Sequence, residues 1–481
     1  MMAAEARPTE SASMGRLVRE SLAYSTLTVT SAVVAALAVV IYTRMLSPSG
    51  YGSYVLAMGA VNVGAHVTGE WLGITPVQYF HLKRSEPAFW SSLVALTLGS
   101  FAAGAPLVLV LLVWARKESF IPAGLALFTV LLVSKALGGV LRASGRVSEY
   151  TWMSSAAVAA HLGLAAGLYW LTGRLESLLW GAAVAGALTA AALWVVQRDL
   201  VTLGAFLHWP SRAMLRRLAG FSAAIPLMGL GSQALQLCDR FLLAVLRGDS
   251  EAGLYSANYA LGEKATGLAF APLMMAVYPL AVAKWAQGDR SSAERILFQA
   301  ASLYLVACGG ILAVLARSGD EISRWLLTVR FSGQAHVILI VAVGSAVWGV
   351  GQLYALGLYL AEKTMTVAML VALAAAANQI LNLALIPEYG AAGAACATVA
   401  SYGIFLGVAR RASMRTAGLR WAFPRTAALR CGCAGTLAFL TARPLQGIAA
   451  ALVTGVVYVV ALWAMRAPEL RDSLTWLRRS R

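Results

Sequence analysis

The 481-residue sequence contains little charge: only 12% of its residues are Asp, Glu, Lys or Arg, whereas 59% are hydrophobic. A water-soluble domain of this length needs far more polar surface, so the composition excludes a soluble protein. The mean hydropathy of +0.72 indicates instead a membrane protein that crosses the bilayer many times.

The sequence also lacks the motifs of nucleotide, cofactor and metal chemistry. It has no loop of the form G-x-x-x-x-G-K-S/T, no G-x-S-x-G, no H-E-x-x-H and no Cys/His metal spacing. Its five cysteines lie in or beside apolar segments, and Cys431 with Cys433 forms a C-x-C pair that we interpret as packing residues. We therefore expect no enzyme activity, no cofactor and no bound metal.

The net charge of +17 does not predict a nucleic-acid site, because Lys and Arg punctuate the apolar runs and do not form a separate polar domain. If the N-terminus is cytoplasmic, the segments on the cytoplasmic side hold most of these basic residues. This bias is typical of the cytoplasmic face of membrane proteins. We therefore expect both termini to be cytoplasmic.

Apolar runs long enough to cross a bilayer predict an all-α protein with about fourteen transmembrane helices. The runs lie near residues 20–43, 51–73, 89–114, 119–141, 150–172, 176–197, 218–246, 254–282, 293–316, 335–360, 363–386, 389–409, 427–442 and 444–465. The predicted organisation is a cytoplasmic tail (1–19), an N-lobe (20–197), a cytoplasmic interfacial linker (198–217), a C-lobe (218–409), a basic cytoplasmic loop (410–426), an extra helix pair (427–465) and a basic cytoplasmic tail (466–481).

Two short sequence echoes suggest that the two six-helix lobes are copies of one unit. Gly52-Ser53-Tyr54 opens the second span, and Gly253-Leu254-Tyr255 opens the eighth. The pair Arg146 and Gly173 brackets the fifth span as Lys363 and Gly390 bracket the eleventh. Each copy has an even number of spans, so the predicted relation is a parallel repeat with pseudo-twofold symmetry.

Charged residues inside two of the apolar runs are the first candidates for a functional site. Asp239 and Arg240 lie roughly 10 Å below the predicted membrane surface, and Glu263 and Lys264 roughly 15 Å below it. Charges at such depth are costly and usually face a bundle interior or a water-filled pathway. They indicate a transport function, although a packing pair between helices is the alternative interpretation.

Further polar residues extend the candidate set. On the second span, His66 and Glu70 lie one helical turn apart and could form a proton relay, or a hydrogen-bonded stripe between helices. Asn378 and Asn382 lie one turn apart on the eleventh span, and Arg44 lies at the outer end of the first. The side chain of Lys135 is long enough for its ammonium group to reach the cytoplasmic surface. His161 is a lone polar residue in the fifth span.

A family resemblance is carried by three segments: TRMLSPSGYGSY (43–54), CDRF…GDSEAGLYSANYAL (238–261) and NQILNLALIPEYGAAGAACATVASY (378–402). Together they resemble the polysaccharide transporter branch of the multidrug/oligosaccharidyl-lipid/polysaccharide exporter superfamily, which includes O-antigen and exopolysaccharide flippases. Members often have twelve spans, whereas this sequence predicts fourteen, as in the lipid II flippases.

The resemblance implies a multi-pass protein of the bacterial inner membrane that moves a polyprenyl-diphosphate-linked oligosaccharide to the outer leaflet. Two lobes would rock around a cationic cavity, with membrane lipid, a polysaccharide polymerase and other assembly proteins as partners and no nucleic acid. The substrate-binding candidates are Arg44, Asp239, Arg240, Lys264, Asn378 and Asn382, and the ion-coupling candidates are His66, Glu70 and Glu263.

Two other classes of protein remain open. A multidrug or cation antiporter of the same superfamily would need a cavity with net acid, but the deep charges of the sequence sum to zero. A membrane-embedded polymerase or ligase would need a long outer connection, and all the predicted outer connections are short.

The topology can be tested with single cysteines in a cysteine-free background. We expect cysteines at Ser250 and Ser332 to react from outside with an impermeant thiol reagent, because both lie in predicted outer connections. Labelling of cysteines at Ser211 or Ser413 from outside would contradict the predicted orientation and favour the inverted one.

Overall fold

The computed structural model describes residues 10–200, 208–222, 224–465 and 467, and within them it contains helices and no strands. This confirms the predicted all-α class. The fourteen α-helices are α1 (Glu10–Met45), α2 (Pro48–Lys83), α3 (Pro87–Trp114), α4 (Ile121–Ala143), α5 (Val147–Thr172), α6 (Ser177–Val196), α7 (Arg212–Ser222), α8 (Ala224–Arg247), α9 (Asp249–Ala286), α10 (Arg290–Leu326), α11 (Ala335–Leu360), α12 (Thr364–Ala412), α13 (Arg425–Thr441) and α14 (Gly447–Ala464).

Nine helices of the described residues are long and apolar enough to cross a membrane. The helix α7, with 11 residues, is too short to do so. By contrast, α12 runs for 49 residues through both the eleventh and the twelfth predicted spans. It breaks at Gly390, whose φ of 54° and ψ of −131° are outside the helical range, three residues after Pro387. The segments on either side of Gly390 run back against each other, because Nδ2 of Asn378 lies 3.3 Å from Oγ of Ser401, 23 residues further along the chain. The predicted turn between the eleventh and twelfth spans is therefore present at Gly390, and α12 consists of two helical segments.

The structure divides into two compact units. Unit 1 comprises residues 1–38 and 56–230, and unit 2 comprises residues 39–55 and 231–481. The end of α1 and the beginning of α2 thus belong to unit 2.

In unit 1, α6 packs along both α4 and α5, and α2 crosses α4 through two glycines. A Cβ added at Gly139 would lie 2.7 Å from the carbonyl oxygen of Gly73, so only glycine permits this approach. Arg146 joins the ends of α5 and α6 by donating to the carbonyl of Val196 and to the carboxylate of Asp199, each at 2.6 Å. These hydrogen bonds hold the pKa of Asp199 below its ordinary value.

The short helix α7 lies against the same unit. Its buried Met214 and Leu218 pack on Phe80, Phe89 and neighbouring aromatic residues of α2 and α3. Its arginines at positions 212, 216 and 217 are exposed. An amphipathic helix of this kind suits the membrane surface, as the sequence predicted for part of this segment.

In unit 2, the beginning of α2 packs directly on the beginning of α9. An added Cβ at Gly52 would collide with the carbonyl oxygen of Asp249, and one at Gly253 with that of Pro48. The Ser53 hydroxyl donates to the Asp249 carboxylate at 3.0 Å. The two glycines of the first sequence echo therefore meet at one helix crossing.

The last helix pair packs on α10. The Tyr458 hydroxyl of α14 donates to the carbonyl of Val306 at 2.7 Å, and its ring covers Gly309 and Gly310. Arg317 donates through Nε to the carbonyl of Ala442 at 3.0 Å, at the end of α13.

A π-helical turn, Ser413–Ala417, follows α12 and begins the basic connection to α13. Ser413 is fully buried. Consequently, only Ser211 of the two inner positions can serve in the cysteine-labelling test.

Candidate functional site

Unit 1 contains an ion pair inside its helices. Lys135 of α4 donates to Oε2 of Glu70 on α2, and Nδ1 of His66 lies 3.1 Å from the same oxygen. The side chains of His66 and Glu70 are 43% and 40% exposed, so they remain open to water or ligand. The sequence places His66 and Glu70 on one face and leaves open that Lys135 extends to the cytoplasmic surface. The structure instead pairs Lys135 with Glu70.

A cavity of about 310 Å³ lies beside this ion pair, and Glu70, Lys135 and His161 are among the residues that line it. Arg142 also lines it and is held by the carbonyl of Gly73, to which Nη2 donates at 2.9 Å. The Arg142 guanidinium lies 4.9 Å from the centre of the Tyr150 ring, which is a cation–π geometry. Unit 1 thus has a polar cavity where hydropathy alone predicts packed helices.

Unit 2 contains a second charged group, centred on Asp239. This carboxylate is 1% exposed, accepts from the Tyr255 hydroxyl at 2.6 Å and accepts from the backbone N–H of Arg240 at 2.8 Å. A buried carboxylate needs such donors, because desolvation without hydrogen bonds is strongly unfavourable.

Arg240 extends the group toward α9. Its guanidinium lies 4.8 Å from the centre of the Tyr259 ring, and it interacts electrostatically with Asp239 and Glu263. Its Nε is buried and has no acceptor among the described residues. The Tyr259 hydroxyl lies 3.4 Å from that of Tyr402. The Arg240 guanidinium therefore lies against an aromatic ring, and two acids act on its charge.

The tyrosines of this group were missed in the sequence, although a signal was present. Tyr255, Tyr259 and Glu263 recur at every fourth position of α9, so they share one helix face. Because tyrosine is nearly neutral on hydropathy scales, this spacing does not stand out in a hydropathy profile.

A third polar group lies on the two segments of α12. Nδ2 of Asn382 donates to Oδ1 of Asn378 at 2.9 Å, and Nδ2 of Asn378 lies 3.3 Å from Oγ of Ser401. Both asparagines are fully buried, and Oδ1 of Asn382 has no donor among the described residues. The predicted Asn378–Asn382 face thus points into the protein.

The other substrate-binding candidates lie apart from these groups. Nη2 of Arg44 donates to the carbonyl of Trp325 at 3.2 Å, in an exposed position. Lys264 is half-buried and forms no ion pair with a described residue. The structure therefore joins Asp239, Arg240 and Glu263, and leaves Arg44 and Lys264 outside that group.

Solved structures of transporters share this fold. The chain is similar to the "lipid II flippase MurJ, inward closed conformation", with 12% identity, a TM-score of 0.69, and coverage of 94% of this chain and 99% of that one. It is also similar to an inward-facing multidrug resistance MATE family transporter of the MOP superfamily, with 14% identity, a TM-score of 0.60, and coverage of 81% and 95%. Identities this low show the fold alone, which is that of MOP superfamily transporters and not of enzymes.

The sequence model of the family described as "Polysaccharide biosynthesis protein" matches residues 17–283, more than half of the chain. The chain therefore belongs to this family, which confirms the resemblance seen in the sequence. No protein with a curated description matches it significantly.

The hydrogen bond from Tyr255 to Asp239 can be tested by removing one hydroxyl. We expect Tyr255→Phe to destabilise the protein by about 1.5–3 kcal/mol, because a buried carboxylate loses a donor. The measurement is thermal unfolding of the purified protein. Tyr259→Phe is the matched control on the same helix, because its hydroxyl has only a long contact with Tyr402. An equal effect of the two substitutions would contradict the assignment.

Proposed function

We propose that the protein is a flippase for polyprenyl-diphosphate-linked oligosaccharides in polysaccharide biosynthesis. It moves the oligosaccharide from the cytoplasmic to the outer leaflet of the bacterial inner membrane by alternating access, with both termini cytoplasmic. The observation that carries this proposal is the match to a polysaccharide biosynthesis family in a chain with a transporter fold.

The chemistry of the substrate supports a role for Arg240. A diphosphate cannot enter hydrocarbon unaided, and a guanidinium neutralises it while donating several hydrogen bonds. Nε of Arg240 has no acceptor among the described residues, so this guanidinium retains a donor for a phosphate oxygen. Lys264 on α9, which forms no ion pair with a described residue, would supply a second positive charge.

Two other transported substrates have support in the structure. The similarity to a lipid II flippase favours lipid II. The similarity to a multidrug transporter, with Asp239 and Glu263 close to Arg240, favours a cationic drug. We propose the lipid-linked oligosaccharide first because the chain belongs to a polysaccharide biosynthesis family.

The group of His66, Glu70 and Lys135 supports coupling to protons. Glu70 accepts from Lys135 and lies next to an imidazole, so binding of one proton to the carboxylate would release the ammonium. A change of charge in a low-dielectric site can shift the balance between two conformations. The chain has no nucleotide-binding loop, so an ion gradient is the energy source we propose.

Substrate binding is tested with Arg240→Gln and Lys264→Gln in reconstituted vesicles. We expect each substitution to slow oligosaccharide flipping roughly tenfold or more, since each removes a charge-assisted contact with the diphosphate. The assay measures the lipid-linked glycan that an impermeant glycosidase can cleave.

Lys284→Gln, near the end of the same helix as Lys264, is the matched control and should flip normally. If Arg240→Gln and Lys264→Gln both flip the oligosaccharide at the wild-type rate, Arg240 and Lys264 contribute only to packing. Uptake of a cationic drug, or flipping of lipid II alone, would favour one of the other substrates.

Proton coupling is tested with Glu70→Gln combined with Lys135→Gln, which removes the titrating carboxylate without leaving the ammonium unpaired. We expect this double variant to flip more slowly and with a flattened pH dependence in vesicles. Lys135→Gln alone keeps the carboxylate and should retain a pH dependence. A wild-type pH profile in the double variant would remove Glu70 from the mechanism and leave Asp239 and Glu263 as the acids to test.

A further inference from the structure

The connection between α12 and α13 folds back into unit 2 and buries its side chains at Leu419 and Trp421, among others. Leu419 is 0% and Trp421 is 4% exposed, although both lie in a strongly basic loop. Oε1 of Glu294 on α10 accepts from the backbone N–H of Arg420 at 2.6 Å. This hydrogen bond holds the loop at the residue between Leu419 and Trp421. The Trp421 indole stacks on the Tyr354 ring of α11, with ring centres 3.9 Å apart and planes 7° from parallel.

Four hydrogen-bond donors around this stack have no acceptor among the described residues. They are Nε of Arg410, Oγ of Ser413, the hydroxyl of Tyr354 and Nε1 of Trp421. Tyr354 and Ser413 are fully buried, and Trp421 nearly so. Buried donors without acceptors are rare in proteins and need an explanation at each site.

The four donors belong to one junction between α11, the end of α12 and the loop. Gly357, one turn after Tyr354, faces both Ser413 and Leu419: an added Cβ would lie 2.6 Å from Oγ of Ser413. Arg410 lies one turn before Ser413, and its guanidinium interacts electrostatically with Tyr354. Arg290 of α10 is also close, because its Nη1 lies 3.5 Å from the position of a Cβ on Gly418.

The chemistry of these donors defines the group that would satisfy them. An indole N–H and a guanidinium N–H can only donate, and the two hydroxyls can rotate to donate. No carboxylate pairs with Arg410 among the ion pairs of the described residues. A ligand complementary to these donors is an anion with several acceptor oxygens. A phosphate group has both the negative charge and enough acceptor oxygens.

We propose that Arg410, Ser413, Tyr354 and Trp421 form a binding site for the phosphate group of a ligand. The site lies at the end of unit 2 that the basic residues predict to be cytoplasmic. The phosphate is either that of an anionic lipid headgroup or free inorganic phosphate. Its binding would hold the α12–α13 connection in place. The proposal does not depend on the transported substrate.

The test uses the purified full-length protein in detergent without phosphate and measures the midpoint of thermal unfolding. One arm adds inorganic phosphate, with chloride at equal ionic strength as its control. The other adds phosphatidic acid in mixed micelles, with diacylglycerol as the control lipid that lacks only the phosphate. We expect the midpoint to rise with a phosphate-bearing probe and not with its control. A rise with phosphatidic acid alone assigns the site to a headgroup, whereas a rise with inorganic phosphate assigns it to the free anion.

Conservative variants locate the response. Trp421→Phe and Tyr354→Phe keep the stacked rings but each removes one donor, and Arg410→Gln removes the charge. We expect each to raise the half-saturating probe concentration roughly tenfold. Arg411→Gln is the matched control, because this neighbouring arginine is exposed.

Two results would overturn the proposal: no rise with either phosphate-bearing probe, or an equal rise in Trp421→Phe, Tyr354→Phe and the wild-type protein. If Arg410→Gln fails to fold, the two phenylalanine variants still decide the question, because they preserve the packing of the junction.

Discussion

An ionised side chain cannot remain alone in hydrocarbon, and this constraint determines how charged residues are placed inside each unit. In unit 1, Lys135 approaches Glu70 from another helix, and the cavity beside them keeps the pair in a polar surrounding. In unit 2, a tyrosine hydroxyl and a backbone N–H compensate Asp239, and an aromatic face covers Arg240. A protein that only needed stable helices would have apolar residues at these positions, because replacing buried charge pairs is often neutral or stabilising. Their presence agrees with the proposed transport function, which requires charge within the membrane.

Close helix contacts through glycine are the second feature common to both units. Helices in a bilayer gain no hydrophobic energy by meeting, so backbone proximity and van der Waals contact must hold them together. Gly73 and Gly139 provide such a contact in unit 1, and Gly52 and Gly253 provide one in unit 2. The sequence echo around Gly52 and Gly253 suggests a duplication. The contact gives a physical reason why both glycines are needed.

The sequence predicted the fold class and most helix positions, because hydropathy and length measure the property that a bilayer selects. It also placed Asp239, Arg240 and Glu263 in one region. It could not predict the partner of Lys135, because Glu70 is far away in sequence and periodicity carries no information on contacts between helices. Nor could it predict that Trp421 folds inward. A polar connection between spans is normally solvated, and only the three-dimensional stack on Tyr354 makes its burial favourable.

The packing of the final helix pair has a consequence for how relatives of different length can be recognised. Gly309 and Gly310 of α10 lack side chains because the Tyr458 ring of α14 occupies that space. In a twelve-span relative, lipid would contact this face, and larger apolar residues would cover it better. We therefore expect glycine at these two positions in relatives that have the final helix pair, and larger residues in relatives that lack it. The two positions could classify a gene fragment that ends before α13, when the length of the protein itself is unknown.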